Sequence, residues 1–150
     1  MESPEVRRAR FAQLDTPTLY ALLKLRQDVF VVEQKCPFPE IDGRDAEPGV
    51  THLWIADTAG PLSYLRVFDP EAGGTARIGR VVTAAHARGR GLSGLLMTAA
   101  LELVGDAPAQ LDAQVDTASF YARFGFREAG PEYLEDDIPH VLMKRPGRVG

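Results

Sequence analysis

Cysteine is nearly missing from this sequence. Cys36 is the only one, so no disulfide can form within the chain and nothing points to an oxidising compartment. Long apolar runs are missing too: "LSGLLMTAAL" at 92–101 is interrupted by Ser93, Gly94 and Thr98 and is too short to span a bilayer. The opening "MESPEVRRAR" lacks the apolar core that a secretory leader needs. There is no excess of positive charge. The 17 Lys and Arg against 21 Asp and Glu leave a net charge of −4, so no global field favours nucleic acid or an anionic membrane. The one basic cluster, "RRAR" at 7–10, falls in an expected strand, where a solvated face accounts for it. His52 and His86 have no companions at metal-ligand spacing, which argues against a metal site. These absences make a cytoplasmic protein with neither nucleic-acid nor membrane partners the expectation.

What is present fits one soluble domain over residues 1–150, with 45% hydrophobic and 25% charged residues. A chain of this length hides roughly two-thirds of its unfolded surface. No repeat, linker or low-complexity tract divides it. "VRRARFAQL" (6–14) reads as a strand and "DTPTLYALLKLRQDVFVVEQ" (15–34) as a helix, with Thr16 as N-cap and Pro17 in the first helical position. The β-branched Val29, Val31 and Val32 predict a break near Phe30. A turn-rich stretch (35–49) leads to a hairpin of 50–57 and 62–69, then a turn at "EAGG" and a strand at 75–83. A helix over 91–105 carries the apolar stripe Leu92, Leu95, Leu96, Ala99 and Leu103. There follow a strand at 109–115 and a short helix at 116–125, with Asp116 as cap and Gly125 as stop. "FREAGPEYL" and "IPHVLMKR" close the chain as a hairpin. The order β-α-β-β-β-α-β-α-β-β is that of a mixed α/β layer structure.

The loop "RGRGLSG" at 88–94 carries the chemistry. Gly89, Gly91 and Gly94 satisfy G-x-G-x-x-G, a dinucleotide fingerprint; Arg88, Gly91 and Ser93 nearly satisfy R-x-x-G-x-[GA], a pyrophosphate loop of acyl-CoA enzymes. Either way, glycines let backbone N–H groups converge at a helix start whose dipole favours a diphosphate. Asp112 is tempting as a ribose ligand for NAD. Against NAD, Ala84 to Arg88 intervene between strand and fingerprint, Asp112 sits mid-strand, and the preceding half of the chain is hairpin-like. On the loop alone both ligands, and a mere glycine-softened helix start, stay open.

"RVVTAAHARGRGLSGLLM" followed by "SFYARFGF" resembles the GNAT superfamily of N-acetyltransferases, and the likeness covers essentially the whole chain. "LYALLKLRQDVFVVEQKCPFPEIDGRD", "IGRVV" and "LEDDIPHVLMKR" are similar to the ElaA-type branch. The resemblance implies coenzyme A rather than NAD, with acetyl-CoA as cosubstrate. It implies an α/β GNAT fold: a mixed, mostly antiparallel sheet of about seven strands, flanking helices, and a splayed parallel pair formed by the fourth and fifth strands. The pantetheine arm would lie against the backbone of Val81, Val82 and Thr83, and the diphosphate against Arg88, Gly89, Arg90, Gly91, Ser93 and Gly94. Ser93 stands where the family usually has Gly or Ala. "AQVDT" (113–117) places Asp116 where this branch is expected to have a histidine.

The resemblance also assigns roles. Tyr121, in the "FY-x-x-x-GF" pattern, would protonate the departing thiolate; a phenol of reference pKa about 10 keeps its proton at neutral pH. The acceptor amine must lose a proton, which for a lysine-like group at pH 7 costs roughly 4–5 kcal/mol. Glu33, His140 and Asp116 are candidate bases, each with an ordinary structural explanation as helix end, strand residue and cap. Cys36 shows no sign of activation, so direct transfer is preferred over a covalent intermediate. "EDD" (135–137), with Asp42 and Asp45, could draw a cationic acceptor or be a solvated turn. The expected activity is acetyl-CoA-dependent N-acetylation of a primary amine on a small molecule or peptide. The runner-up is a non-catalytic acyl-CoA-binding or sensing module. GNAT relatives are often dimers, so a homodimer is an option.

Overall fold

The computed structural model describes residues 4–70 and 74–148, and one mixed sheet organises it. In chain order the elements are β1 (Arg7–Arg10), α1 (Thr16–Arg26), a π-helical turn (Gln27–Glu33), β2 (Val50–Asp57), β3 (Gly60–Phe68) and β4 (Ala76–Thr83). Then come α2 (Leu92–Val104), β5 (Ala109–Gln114), α3 (Ala118–Ala122), β6 (Arg127–Glu128), β7 (Tyr133–Glu135) and β8 (Ile138–Arg145). The sheet runs β1-β2-β3-β4-β5-β8-β6, with β7 also on β8, and among the described residues only β4–β5 is parallel. The expected α/β arrangement is present with eight strands rather than seven. "AGPE" separates β6 from β7, because Pro131 has no N–H to donate to the ladder.

Several boundaries differ from expectation. The first strand stops at Arg10, whose N–H is taken by the Gln13 side chain at 2.9 Å, and a short turn follows. The cap of α1 is Asp15, not Thr16: its Oδ1 accepts the Thr18 N–H at 2.7 Å. The long helix breaks at Gln27, where the β-branched stretch winds as a π-turn. Asp116 caps nothing; it lies exposed in a tight turn before α3, and the Thr117 hydroxyl bonds the Gln114 carbonyl at 2.8 Å. The turn expected at "EAGG" falls largely outside the described residues.

Alternation suggests half-buried hairpin strands, yet Val50 to Ile55 and Leu62 to Val67 are buried without a break. Both faces of β2 and β3 are therefore covered, and α1 and α2 each pack on the middle of the sheet. Leu53, Leu65, Ile78, Leu96 and Met97 are at most 1% exposed, each contributing about 1.5–3 kcal/mol of burial. This dense centre fixes β4 on one side and leaves its other edge to the site. Among the described residues no helix is long and apolar enough to cross a membrane.

Candidate active site

β4 and β5 pair only at Ala76–Ala109 and Arg77–Gln110, then diverge. The gap opens a cleft of about 820 Å³, within the range of small-molecule and cofactor sites. Along it, β4 has backbone groups with no ladder partner on the β5 side. β4 is also bulged against β3: Arg66 opposes Gly79 and Tyr64 opposes Val82, so Arg80 and Val81 together face Leu65. Arg80 adopts a left-handed φ of +54°, a conformation that costs a non-glycine residue about 1–2 kcal/mol.

Beyond Thr83 the chain turns through Ala85–Ala87 and enters α2 at Gly91, whose φ of +74° suits glycine. The first N–H groups of a 13-residue helix thus face the mouth of the cleft, an arrangement that attracts anions. Val81, Val82, Thr83, Arg88, Gly89, Gly91, Ser93 and Gly94 line it. Arg90 does not: its guanidinium donates to the His86 carbonyl at 3.3 Å on the exposed side of the loop. Arg88 is already engaged. It binds both carboxylate oxygens of Glu33 at 2.6 and 2.9 Å and the Thr83 carbonyl at 3.1 Å.

Ser93 belongs to a chain of hydroxyls whose direction is fixed by its end. Ser63 Oγ donates to the Val82 carbonyl at 3.0 Å, since a carbonyl can only accept. Thr83 Oγ1 must then donate to Ser63 at 2.8 Å, and Ser93 Oγ to Thr83 at 2.6 Å. The hydroxyl that distinguishes Ser93 from glycine ties the start of α2 to the end of β4. Its only proton is committed to that tie, which leaves its backbone N–H for an anion.

Tyr121 is buried, with its ring edge-on to Phe120 and Phe126 at 5.1 and 6.5 Å between centroids. Its side chain lines the cleft, and among the described residues its hydroxyl has no hydrogen-bond partner. Burial pushes the phenol well above its ordinary value, so it stays protonated. His140, on β8, also lines the cleft and stacks on Tyr133. Its Nδ1 lies 2.6 Å from the Ile138 carbonyl and so carries the proton, leaving Nε2 as the basic nitrogen of the neutral ring. Nε2 lies 3.8 Å from a carboxylate oxygen of Glu135. Glu33 reaches the cleft, but the hydrogen bond from Arg88 holds its carboxyl below the usual range and makes it a weaker base. Asp116 is exposed outside it.

Asp42 and Asp45 do not face an acceptor. Both are consumed by buried arginines: Asp45 by Arg26 at 2.8 Å and Arg66 at 2.9 Å, Asp42 by Arg66. Glu40 joins them, 2.9 Å from Arg26 Nε and 2.7 Å from Arg80 Nε. The latter contact lies off the line of the N–H, so it is a charge contact rather than a hydrogen bond. Of the acidic turn, Glu135 and Asp136 line the cleft. Cys36 donates to the Asp136 carbonyl at 3.1 Å, and burial pushes its thiol up, as an inert side chain requires. The Arg26–Glu40–Arg80 connection, the Gln34–Gln114 amide pair and the bond from Tyr133 to Asp112 are not legible in the sequence. Only the bunching of charges between Arg26 and Asp45 hinted at the first.

The profile of the acetyltransferase (GNAT) domain matches residues 40–146. A UPF0039 protein of Mycobacterium tuberculosis is 48% identical over 145 residues, 95% of this chain and 93% of that one. The crystal structure of an acyl-CoA N-acyltransferase from Pseudomonas aeruginosa superposes with a TM-score of 0.87 at 44% identity, covering 95% of this chain and 99% of the other. That of Escherichia coli ElaA gives 0.88 at 34% identity over 95% and 99%. The chain belongs to the GNAT acetyltransferase family, beside ElaA and the UPF0039 proteins, and is an acyltransferase of that family.

Proposed function

We propose that the protein is an acetyl-CoA-dependent N-acetyltransferase that moves the acetyl group directly onto a primary amine of a small molecule or peptide. The observation that carries this is the continuity of one cleft, from the glycine-rich start of α2, past the freed backbone of β4, to the Tyr121 hydroxyl. Gly89, Gly91, Ser93 and Gly94 offer main-chain N–H groups to a diphosphate, and Arg88 adds charge once it leaves Glu33. Bound acetyl-CoA supplies the thioester. The Val81 and Thr83 backbone, on the β5 side where the ladder is missing, is suited to hydrogen-bond the pantetheine amides and to stabilise negative charge on an acyl oxygen, while Val82 between them pairs with Tyr64 of β3. The Tyr121 hydroxyl, neutral and, among the described residues, unpartnered, is suited to protonate a leaving sulfur. His140 Nε2 is the best-placed base for the amine proton, directly or through water; Glu33 and Asp116 are handicapped by Arg88 and by position. The net charge of −4 and the free Cys36 support a cytoplasmic setting without nucleic-acid partners.

Turnover tests the proposal. Release of free thiol from acetyl-CoA over a panel of primary amines should exceed hydrolysis with at least one of them. Tight binding of acetyl-CoA with no transfer across a broad panel would instead favour an acyl-CoA-sensing module.

A further inference from the structure

We infer that Arg80 is a positioning residue for acyl transfer: its ion pair with Glu40 holds the β4 bulge in place and so sets where the Val81 and Thr83 backbone groups point in the cleft. The inference rests on the acyl-transfer reading above.

Four non-glycine residues have positive φ among the described residues, and three of them, Lys35, Asp136 and Asp137, lie in turns. Arg80 alone sits inside a strand. The strain is not placed where the backbone would take it most easily, because the neighbouring Gly79 keeps an ordinary φ. An arginine in this position therefore calls for a reason in its side chain. That side chain crosses to the turn-rich segment after the π-turn, with Nε 2.7 Å from Glu40 Oε2 and Nη2 donating to the Glu40 carbonyl at 3.1 Å. Glu40 is itself pinned by Arg26, through Nε at 2.9 Å and through Nη2 to the same carbonyl at 3.3 Å. Arg26 is 1% exposed and held by Asp45. An unbroken line of contacts thus runs from the buried end of α1 to the bulge.

The bulge decides what β4 presents. It lets two residues, Arg80 and Val81, oppose Leu65, and β5 has already diverged at that level. If the bulge were ironed out, the register beyond it would slip by one residue and send the side chains of residues 81 to 83 to opposite faces. Thr83 would then lose Ser63 and Ser93, and the strand end would part from the helix that begins the phosphate loop.

The experiment compares Arg80→Ala, Arg80→Gly and Glu40→Gln in the full chain. Alanine removes the ion pair and leaves a residue that resists positive φ; glycine removes the same ion pair but accepts positive φ freely. Arg80→Ala should lower kcat by about 10- to 100-fold and raise KM for acetyl-CoA as well, because the β4 backbone beside pantetheine and the Thr83–Ser93 tie move with the bulge. Arg80→Gly should recover most of that loss although its Tm falls as far. A residue that only stabilised the fold would make both variants equally active. Backbone amide shifts of Val81 and Thr83, measured without ligand, should move in Arg80→Ala and stay near wild type in Arg80→Gly. Should Arg80→Ala not fold, Glu40→Gln against wild type gives the same comparison with a smaller displacement. Unmoved amides in Arg80→Ala or Glu40→Gln, or identical kcat in the two Arg80 variants, would overturn the inference and leave the acyl-transfer reading standing. If wild type transfers acetyl to no amine, that reading falls, while the amide shifts still decide whether Arg80 holds the bulge.

Discussion

Removing one oxygen atom from Tyr121 should separate catalysis from stability. The ring of Tyr121 is packed against Phe120 and Phe126, and a phenylalanine keeps that packing. Among the described residues its hydroxyl bonds nothing, so Tyr121→Phe breaks no intramolecular hydrogen bond. A broken bond of that kind would cost about 0.5–1.5 kcal/mol. Without it the stability change should stay below about 0.5 kcal/mol, or roughly 2 °C in Tm for a chain of this length. The effect on chemistry is of another size. A positioned acid contributes on the order of 10²- to 10⁴-fold, so kcat should fall at least about 100-fold, or about 2.7 kcal/mol of barrier. KM for acetyl-CoA should move little, because the proposed role of the hydroxyl is toward the leaving sulfur and not the diphosphate. Because burial pushes the phenol up, no loss of kcat from its ionisation should appear in wild type below about pH 10. Thermal melts and steady-state thiol release give both readings from one preparation. A kcat within about 3-fold of wild type would refute the acid role. A Tm loss above about 5 °C would show instead that the hydroxyl holds the fold.

Three further outcomes are expected. Glu33→Gln weakens the competitor for Arg88, so acetyl-CoA should bind somewhat tighter by calorimetry, by less than about 5-fold and less so at high salt, whereas Arg88→Ala should bind more weakly; weaker binding by Glu33→Gln contradicts this. Gly91→Ala meets no atom within 4 Å but must hold φ at +74°, so it should lose about 1 kcal/mol and 2–4 °C of Tm, while Gly94→Ala, at ordinary φ and 3.8 Å from Phe124, should be neutral or stabilising. His52 lies buried between the Tyr64 hydroxyl (2.6 Å) and the Asp45 carbonyl (3.0 Å), and burial holds its pKa below the ordinary 6.5. The unfolded chain therefore takes up this proton first. The His52 contribution is complete above about pH 6.5 and declines as pH falls below it, by at most about 1.4 kcal/mol per pH unit, so the Tm of His52→Gln should depend less on pH between 7 and 5.

Much of this was legible because it is local. The hairpin of 50–57 and 62–69, the helix after Gly91 and the stop at Gly125 follow from two periodicities and from residues whose φ preferences act within a few positions. The errors were local as well: Asp15 and Thr16 both suit a cap, and a one-residue shift decides between them. Asp116 looked like a cap because acidic residues often are, but the turn before α3 took its bond from Thr117 instead.

By itself the sequence determined most of the order of strands and helices, all but the division of the last hairpin into β6, β7 and β8, and the glycines at the start of α2, since each depends on preferences along a few residues of chain. Only the tertiary structure decided where β4 and β5 part, that Arg80 bears the bulge, and that Glu33 and Arg88 are bound to one another. Those features join residues 14 to 55 positions apart, Arg26 to Glu40, Arg80 to Glu40 and Arg88 to Glu33. No local preference encodes such a pairing; it exists only once the sheet has closed around its core and brought the partners within reach.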